Sequence, residues 1–229
     1  MEQRQDLPPG QRARQVMPRF GMTQFADRFP EHTNHISLTI GGDVDQPLNL
    51  SAELQGLPRV SQTSDFHCVT TWSVRGLSWS GDRFADVYRG LVLPLARPAS
   101  GAEFALLRCQ DGFRTSLPLE DLLAKDVLLA DTLNGEPLSV AHGAPLRLVA
   151  PGHYGYKNAK HLAAIEFWRD EFHFRPWYLR WMMHQRGRVA LEERARGVSG
   201  TLLRYVYRPF IDQTARLFAR HLKRFEEER

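Results

Sequence analysis

The sequence predicts a mixed α+β domain, and three observations predict it. Short apolar runs of four to eight residues alternate with polar positions and end at Gly, Pro or Asn, as part-buried strands do. Short stretches with helical spacing fall between them. No internal repeat and no strand–GxGxxG–helix rhythm is present, which argues against a dinucleotide-binding fold. With 229 residues and five Trp, the chain is long and apolar enough for a real core.

Taken in order, residues 1–35 open with a polar Pro-Pro-Gly stretch and read as an N-terminal arm. Phe25 to Phe29 is placed to fold back on the core. Ile36, Leu38 and Ile40 alternate as a strand that Gly41-Gly42 ends. Ser51 caps a short helix to Leu57. Val60 to Cys68 is the next strand, and Phe84, Val87, Tyr88 and Leu91 give Ser80 to Gly90 a helical spacing. Glu103 to Cys109 is a strand followed by an Asp111-Gly112 turn. Leu117 to Leu123 is a short helix with Pro118 at its start. Val127 to Leu133 is a strand, and Asn134-Gly135 is a tight-turn signal.

Leu146, Leu148 and Ala150 then alternate up to Pro151-Gly152, and Leu162 to Phe167 resumes the strand pattern. Between these strands Arg147, His153, Lys157, Lys160 and His161 crowd one glycine-bearing turn. Glycine lets backbone N–H groups approach a ligand, and Lys and Arg add charge-assisted donors. That chemistry suits a phosphate or pyrophosphate. A solvated basic loop is the alternative.

Residues 169–229 differ in texture. They hold 14 Lys and Arg against 8 Asp and Glu, net +6, while residues 1–168 hold 16 against 18, net −2. A helix is expected from Pro176 through Trp181 and Met182, another over Leu202 to Tyr207, and an amphipathic helix from Phe210. Such a helix packs on the main domain or on a partner, with a membrane surface as the other use. No recognition motif accompanies the charge, so nucleic-acid binding is not indicated. Two cysteines outside any CxxC pair exclude a disulfide framework, and the nine His show no HExxH, which leaves zinc a weak candidate. Without an apolar leader, a twin-Arg signal or a run long enough to span a bilayer, the expected location is cytoplasmic.

Several motifs in order carry a family resemblance. DFHCVTTWSV (Asp65–Val74), DGF (Asp111–Phe113), LPLEDLL (Leu117–Leu123), LNGEPL (Leu133–Leu138) and HGAPLRLVAPGHYGYKNAK (His142–Lys160) together resemble the molybdopterin-binding core of the sulfite oxidase superfamily, over 36–168. The resemblance implies a mixed-sheet domain of sulfite oxidase type with a helical C-terminal extension over 169–229. It also implies a molybdenum-molybdopterin cofactor with Cys68 as the protein's metal ligand. A thiolate is a soft ligand suited to that role when the pterin brings the other sulfurs. Without the pattern, a buried structural cysteine is the ordinary reading.

By the same resemblance Arg147, Asn158, Ala159 and Lys160 hold the pterin and its phosphate, with Lys157 beside them. His142 stands where relatives carry Asn or His, and Cys109 where some carry a Thr that touches the cofactor. His67 is a candidate for the site wall, although a strand neighbour points to the opposite face. Asn34, or Arg19-Phe20, is the candidate for closing over the pterin. Two features of sulfite oxidases proper are missing: no Arg follows Cys68 before Arg75, and Ala144 stands where those enzymes have a Tyr. The chain is therefore more similar to the catalytic subunits of bacterial methionine-sulfoxide reductases. Tyr156, or Tyr154, is the candidate replacement donor.

The expected activity is two-electron or oxygen-atom transfer with a small-molecule substrate. Electrons would pass through a separate partner, since no CxxCH haem motif is present. Two rivals stand beside this: a cysteine nucleophile with His142 or His153 as base, and a non-catalytic module whose basic tail meets an acidic partner.

Overall fold

In the computed structural model, residues 7–51, 54, 56–171 and 183–228 are described. Two mixed sheets carry the domain. The first contains β1 (Arg12–Arg14), β4 (Arg59–His67), β5 (Trp72–Arg83), β8 (Leu128–Leu133), β9 (Glu136–Pro137) and β10 (Arg147–Val149). Its path runs β1-β5-β8-β10, with β4 paired to β5 and β9 to β8. The second has the order β3 (Leu48–Leu50), β2 (Leu38–Gly42), β11 (Leu162–Trp168), β6 (Phe104–Cys109), β7 (Arg114–Pro118). β1 with β5 and β2 with β11 are the parallel pairs among otherwise antiparallel neighbours.

The apolar runs are buried on both faces of β8 and β10, which is why they look continuous in the sequence. Leu129 and Leu148 enter one core with Leu38, Ile40, Leu107, Ile165 and Phe167. Their neighbours Leu128 and Val149 enter a second core with Trp72, Val74, Trp79 and Met17. Period-two alternation thus lets one pair of strands serve two cores. Each such side chain contributes about 1.5–3 kcal/mol on burial.

Helices are short in this body. α1 (Phe84–Val87) runs into a π-helical turn (Tyr88–Ala96) containing Pro94, and α2 (Leu119–Leu122) follows β7. The helix expected over Ser80 to Gly90 therefore begins four residues late. Ser80 to Asp82 stay in β5 because they pair with β4 and β8 on both sides, and Arg83 pairs with β8. Likewise Leu117 and Pro118 end β7 before α2 begins, since both pair with β6. The N-terminal arm contributes β1, whose Arg12–Arg14 align with Trp72–Val74. Asn134 and Gly135, both at positive φ, make the β8–β9 hairpin turn. Of the expected Ser51–Leu57 helix, residues 52, 53 and 55 lie outside the described residues, as does most of the expected helix through Trp181 and Met182.

The C-terminal part supplies α3 (Gly200–Tyr207), a single 3₁₀ turn (Arg208–Phe210) and α4 (Ile211–Glu227). The amphipathic face expected from Phe210 onward turns inward. Phe218 is buried against Phe20, and Phe225 stacks on Phe29 at 4.0 Å. No helix among the described residues is long and apolar enough to cross a membrane.

Candidate cofactor cavity

The β4–β5 turn, the 150–160 loop, the N-terminal segment and α4 meet around a cavity of about 440 Å³. The turn positions Cys68. Its backbone N–H donates to the Trp72 carbonyl at 2.8 Å, and its carbonyl accepts from Thr71 N at 3.1 Å and Gln11 Nε2 at 3.1 Å. Closing four residues this tightly places Thr71 at φ 79°, a conformation that β-branched residues seldom adopt. Cys68 is thus a turn residue, one position beyond the end of β4.

Cys68 lines the cavity, and its Sγ lies 3.1 Å from the Thr70 hydroxyl. Burial pushes its thiol pKa up. Hydrogen bonds from Thr70 and the charges of Arg194 and Lys160 act the other way. Neither imidazole of the cysteine-nucleophile scheme bonds to it. His142 binds Ser139 and the Met17 carbonyl, and His153 binds the Arg186 carbonyl.

The basic loop sorts into groups that face the cavity and groups that hold the loop. Arg147 and Lys160 face it. Arg147 is 1% exposed, donates to the His142 carbonyl at 2.8 Å, and lies over the Trp79 ring at 4.8 Å. Burial lowers its pKa to about 9. Lys160 reaches the Phe20 carbonyl at 3.4 Å. Burial, then the charges of Arg147 and Arg19, lower its pKa to about 7. Neither cation has a carboxylate ion-pair partner among the described residues. Gly143, at φ 112°, sits beneath both: a Cβ there would meet the Cβ atoms of Arg147 and Lys160 at 3.1 Å. Gly155 allows the loop to close on β4, since a Cβ would lie 2.5 Å from the Phe66 ring.

Asn158 lines the cavity while its amide ties the loop. It accepts from Ala150 N at 2.7 Å and donates to the carbonyls of Ala150, His153 and Tyr154. Lys157 turns away, donating to the Ser116 and Gln185 carbonyls. His161 binds the Ala144 carbonyl at 2.6 Å and is held neutral by burial, its pKa lowered to about 3. Ala159 is buried in the first core.

The remaining candidates are placed as follows. Tyr156 lines the cavity with its ring, but its hydroxyl donates to the Glu193 carbonyl at 3.1 Å. His67 faces away and shares a 2.8 Å hydrogen bond with Ser73. His142 underlies the N-terminal segment through Met17. Cys109 is buried in the first core, its thiol pushed well up by burial. Asn34 is exposed and paired with Thr33, away from the cavity. Arg19-Phe20 closes over the cavity instead. The Arg19 Nη atoms donate to the carbonyls of Ala26, Phe25 and Arg28, its Nε is buried without a partner, and the guanidinium lies 4.1 Å over the Phe29 ring.

Sequence reasoning missed three contributors. Asp111 brings a half-buried carboxyl, raised by burial, to the wall. Arg194, fully buried, donates to the carbonyls of Val69 and Pro9 and pairs with Glu192, which pairs with Arg204 of α3. Tyr207, Phe210, Ile211, Thr214 and Phe218 form the roof. Of that roof, Phe210 and Phe218 were legible as part of an amphipathic helix; their target, and the parts of Tyr207, Ile211 and Thr214, were not.

A cavity whose wall carries a thiol, the buried Arg147 and the half-buried Lys160, neither ion-paired among the described residues and with Asp111 as the nearby carboxyl, suits an anionic organic group. Cations desolvated without an ion-pair partner are costly unless an anion joins them, so Arg147 and Lys160 fit a phosphate-bearing cofactor. The chain belongs to the oxidoreductase molybdopterin-binding domain family, whose model matches residues 26–177. It is 39% identical over 153 residues to the uncharacterized oxidoreductase YuiH of Bacillus subtilis, covering 62% of this chain and 75% of that one. It is 28% identical over 212 residues to the protein-methionine-sulfoxide reductase catalytic subunit MsrP of Xanthomonas campestris, covering 80% and 66%. In fold it matches the sulfane dehydrogenase SoxCD of Paracoccus pantotrophus with a TM-score of 0.54 at 23% identity, over 66% of this chain and 43% of that one. The chain is thus an oxidoreductase of the sulfite oxidase superfamily, on the methionine-sulfoxide-reductase-like side, with a molybdenum-molybdopterin cofactor.

Proposed function

We propose that this chain catalyses two-electron or oxygen-atom transfer on a small substrate, with Cys68 as the protein's ligand to molybdenum. One observation carries the reading: Cys68 and the cations Arg147 and Lys160 share the wall of one cavity. Bound there, the cofactor supplies the redox chemistry, cycling by two electrons. The protein's own residues do the rest. Cys68 offers a soft thiolate, and Thr70 and Arg194 favour that charged form. Arg147 and Lys160 offer donors to the phosphate, and Asn158 fixes the loop that carries them.

Phe66, Val69, Trp72 and the roof residues give the cavity an apolar lining around Cys68. The cations sit with the phosphate site, so the substrate is taken as small and uncharged. A separate protein exchanges electrons with the cofactor. Molybdenum and pterin are measured on protein made in a host with ample molybdate and intact cofactor synthesis. About one of each per chain is expected, and their absence overturns the reading.

A further inference from the structure

Several side-chain donors on the cavity wall are engaged within the protein: the Arg19 Nη atoms on three carbonyls, Asn158 on the loop, Thr70 on Cys68, and the Tyr156 hydroxyl on the Glu193 carbonyl. Arg19 Nε and the Trp72 indole N–H are buried without a partner, but neither group carries a titratable hydroxyl. Tyr207 brings one. It comes from the last turn of α3, lines the cavity with Cys68 and Thr70, and its hydroxyl makes no hydrogen bond among the described residues. Its phenol lies near enough to Cys68 and Arg194 to respond to both charges.

Its position is well fixed. Arg204, one turn earlier, forms an ion pair with Glu192, and Arg208, the next residue, donates to the Gly10 carbonyl. Arg194 ties the same Glu192 to the Val69 carbonyl beside Cys68. One chain of contacts centred on the buried Arg194 therefore links α3 to the Cys68 turn. A free hydroxyl held this way is preorganised to meet an acceptor that enters the cavity.

We propose that Tyr207, supplied by the C-terminal extension, is a catalytic residue that donates a hydrogen bond to the substrate's acceptor oxygen at the Cys68 end of the cavity. This rests on the function proposed above. It assigns the site a donor from outside the matched residues 26–177.

The test compares wild type, Tyr207→Phe and Tyr205→Phe, the last an exposed control on the same helix. Loading is read as molybdenum and pterin per chain. The probe is dimethyl sulfoxide, with reduced methyl viologen as electron source: two electrons and two protons release dimethyl sulfide and water. The oxidised protein's visible sulfur-to-metal band is recorded with and without the probe.

Tyr207→Phe is expected to load fully, lose about tenfold or more in kcat, change KM less, and lose the probe-induced change in the band. Tyr205→Phe is expected to match wild type in all three. A loaded Tyr207→Phe protein that matches wild type in both rate and band response overturns the inference. If wild type does not turn over dimethyl sulfoxide, the band response alone decides, and a wild-type band that the probe leaves unmoved also overturns it. Wild type free of molybdenum and pterin overturns the underlying reading instead.

Discussion

Lys160 offers a titration that separates an anion-binding cation from an ordinary surface lysine. In the cofactor-free protein, burial and the neighbouring Arg147 and Arg19 hold its pKa at about 7 instead of 10.5. Below pH 7 the lysine is protonated in both folded and unfolded chains, and the folded state carries the full cost of a desolvated cation. Between about 7 and 10.5 the unfolded chain binds a proton that the folded chain does not. Stability therefore rises with pH through that window. At about 1.36 kcal/mol per pH unit, the gain from pH 7 to 9 is roughly 2–3 kcal/mol. The assay is urea unfolding of cofactor-free wild type and Lys160→Met at pH 6, 7, 8 and 9. Subtracting the two isolates this residue from the other titrating groups. The difference should rise by that amount for cofactor-free protein and stay flat for loaded protein, where the phosphate keeps the lysine charged. A flat difference in cofactor-free protein would refute the idea that Lys160 is a desolvated cation awaiting an anion.

Two further substitutions probe the frame. Gly81→Ala places a Cβ 2.1 Å from the Leu129 carbonyl oxygen and 2.7 Å from Ala130 Cα, both backbone, so β5 and β8 must separate. A loss of about 3 kcal/mol is expected, read as a fall of about 6–12 °C in thermal midpoint; an unchanged midpoint would show that the strands move apart freely. Arg194→Met removes a fully buried guanidinium, its donors to the Val69 and Pro9 carbonyls and its ion pair with Glu192. It should cost about 3 kcal/mol in urea unfolding and lower molybdenum occupancy, and a protein within 1 kcal/mol of wild type would contradict its role in setting the Cys68 turn.

Much of the site was legible because its residues are adjacent in the chain. His142 to Lys160 reads as a strand and a cation-bearing loop, and the fold brings Arg147 and Lys160 to one wall. Sequence could not separate those two from Lys157, because loop residues one to three positions apart point in unrelated directions; only the carbonyls of Ser116 and Gln185 reveal that Lys157 faces inward. The strand ends were misread where pairing outweighs local spacing, as at Ser80 to Arg83. Arg194 and the Tyr207–Phe218 roof depend on contacts across more than a hundred residues, for which periodicity carries no information. The apolar face of α4 was visible, yet a face offered to a membrane and one folded over a cavity have the same period.

The central claim is that Cys68 binds the metal. Molybdenum K-edge X-ray absorption of the loaded protein, wild type against Cys68→Ser, tests it most directly. Three sulfur neighbours in wild type and two in the variant, with pterin content retained, is the result expected. The same sulfur count in both proteins would contradict the assignment and leave Cys68 a buried structural residue of the turn.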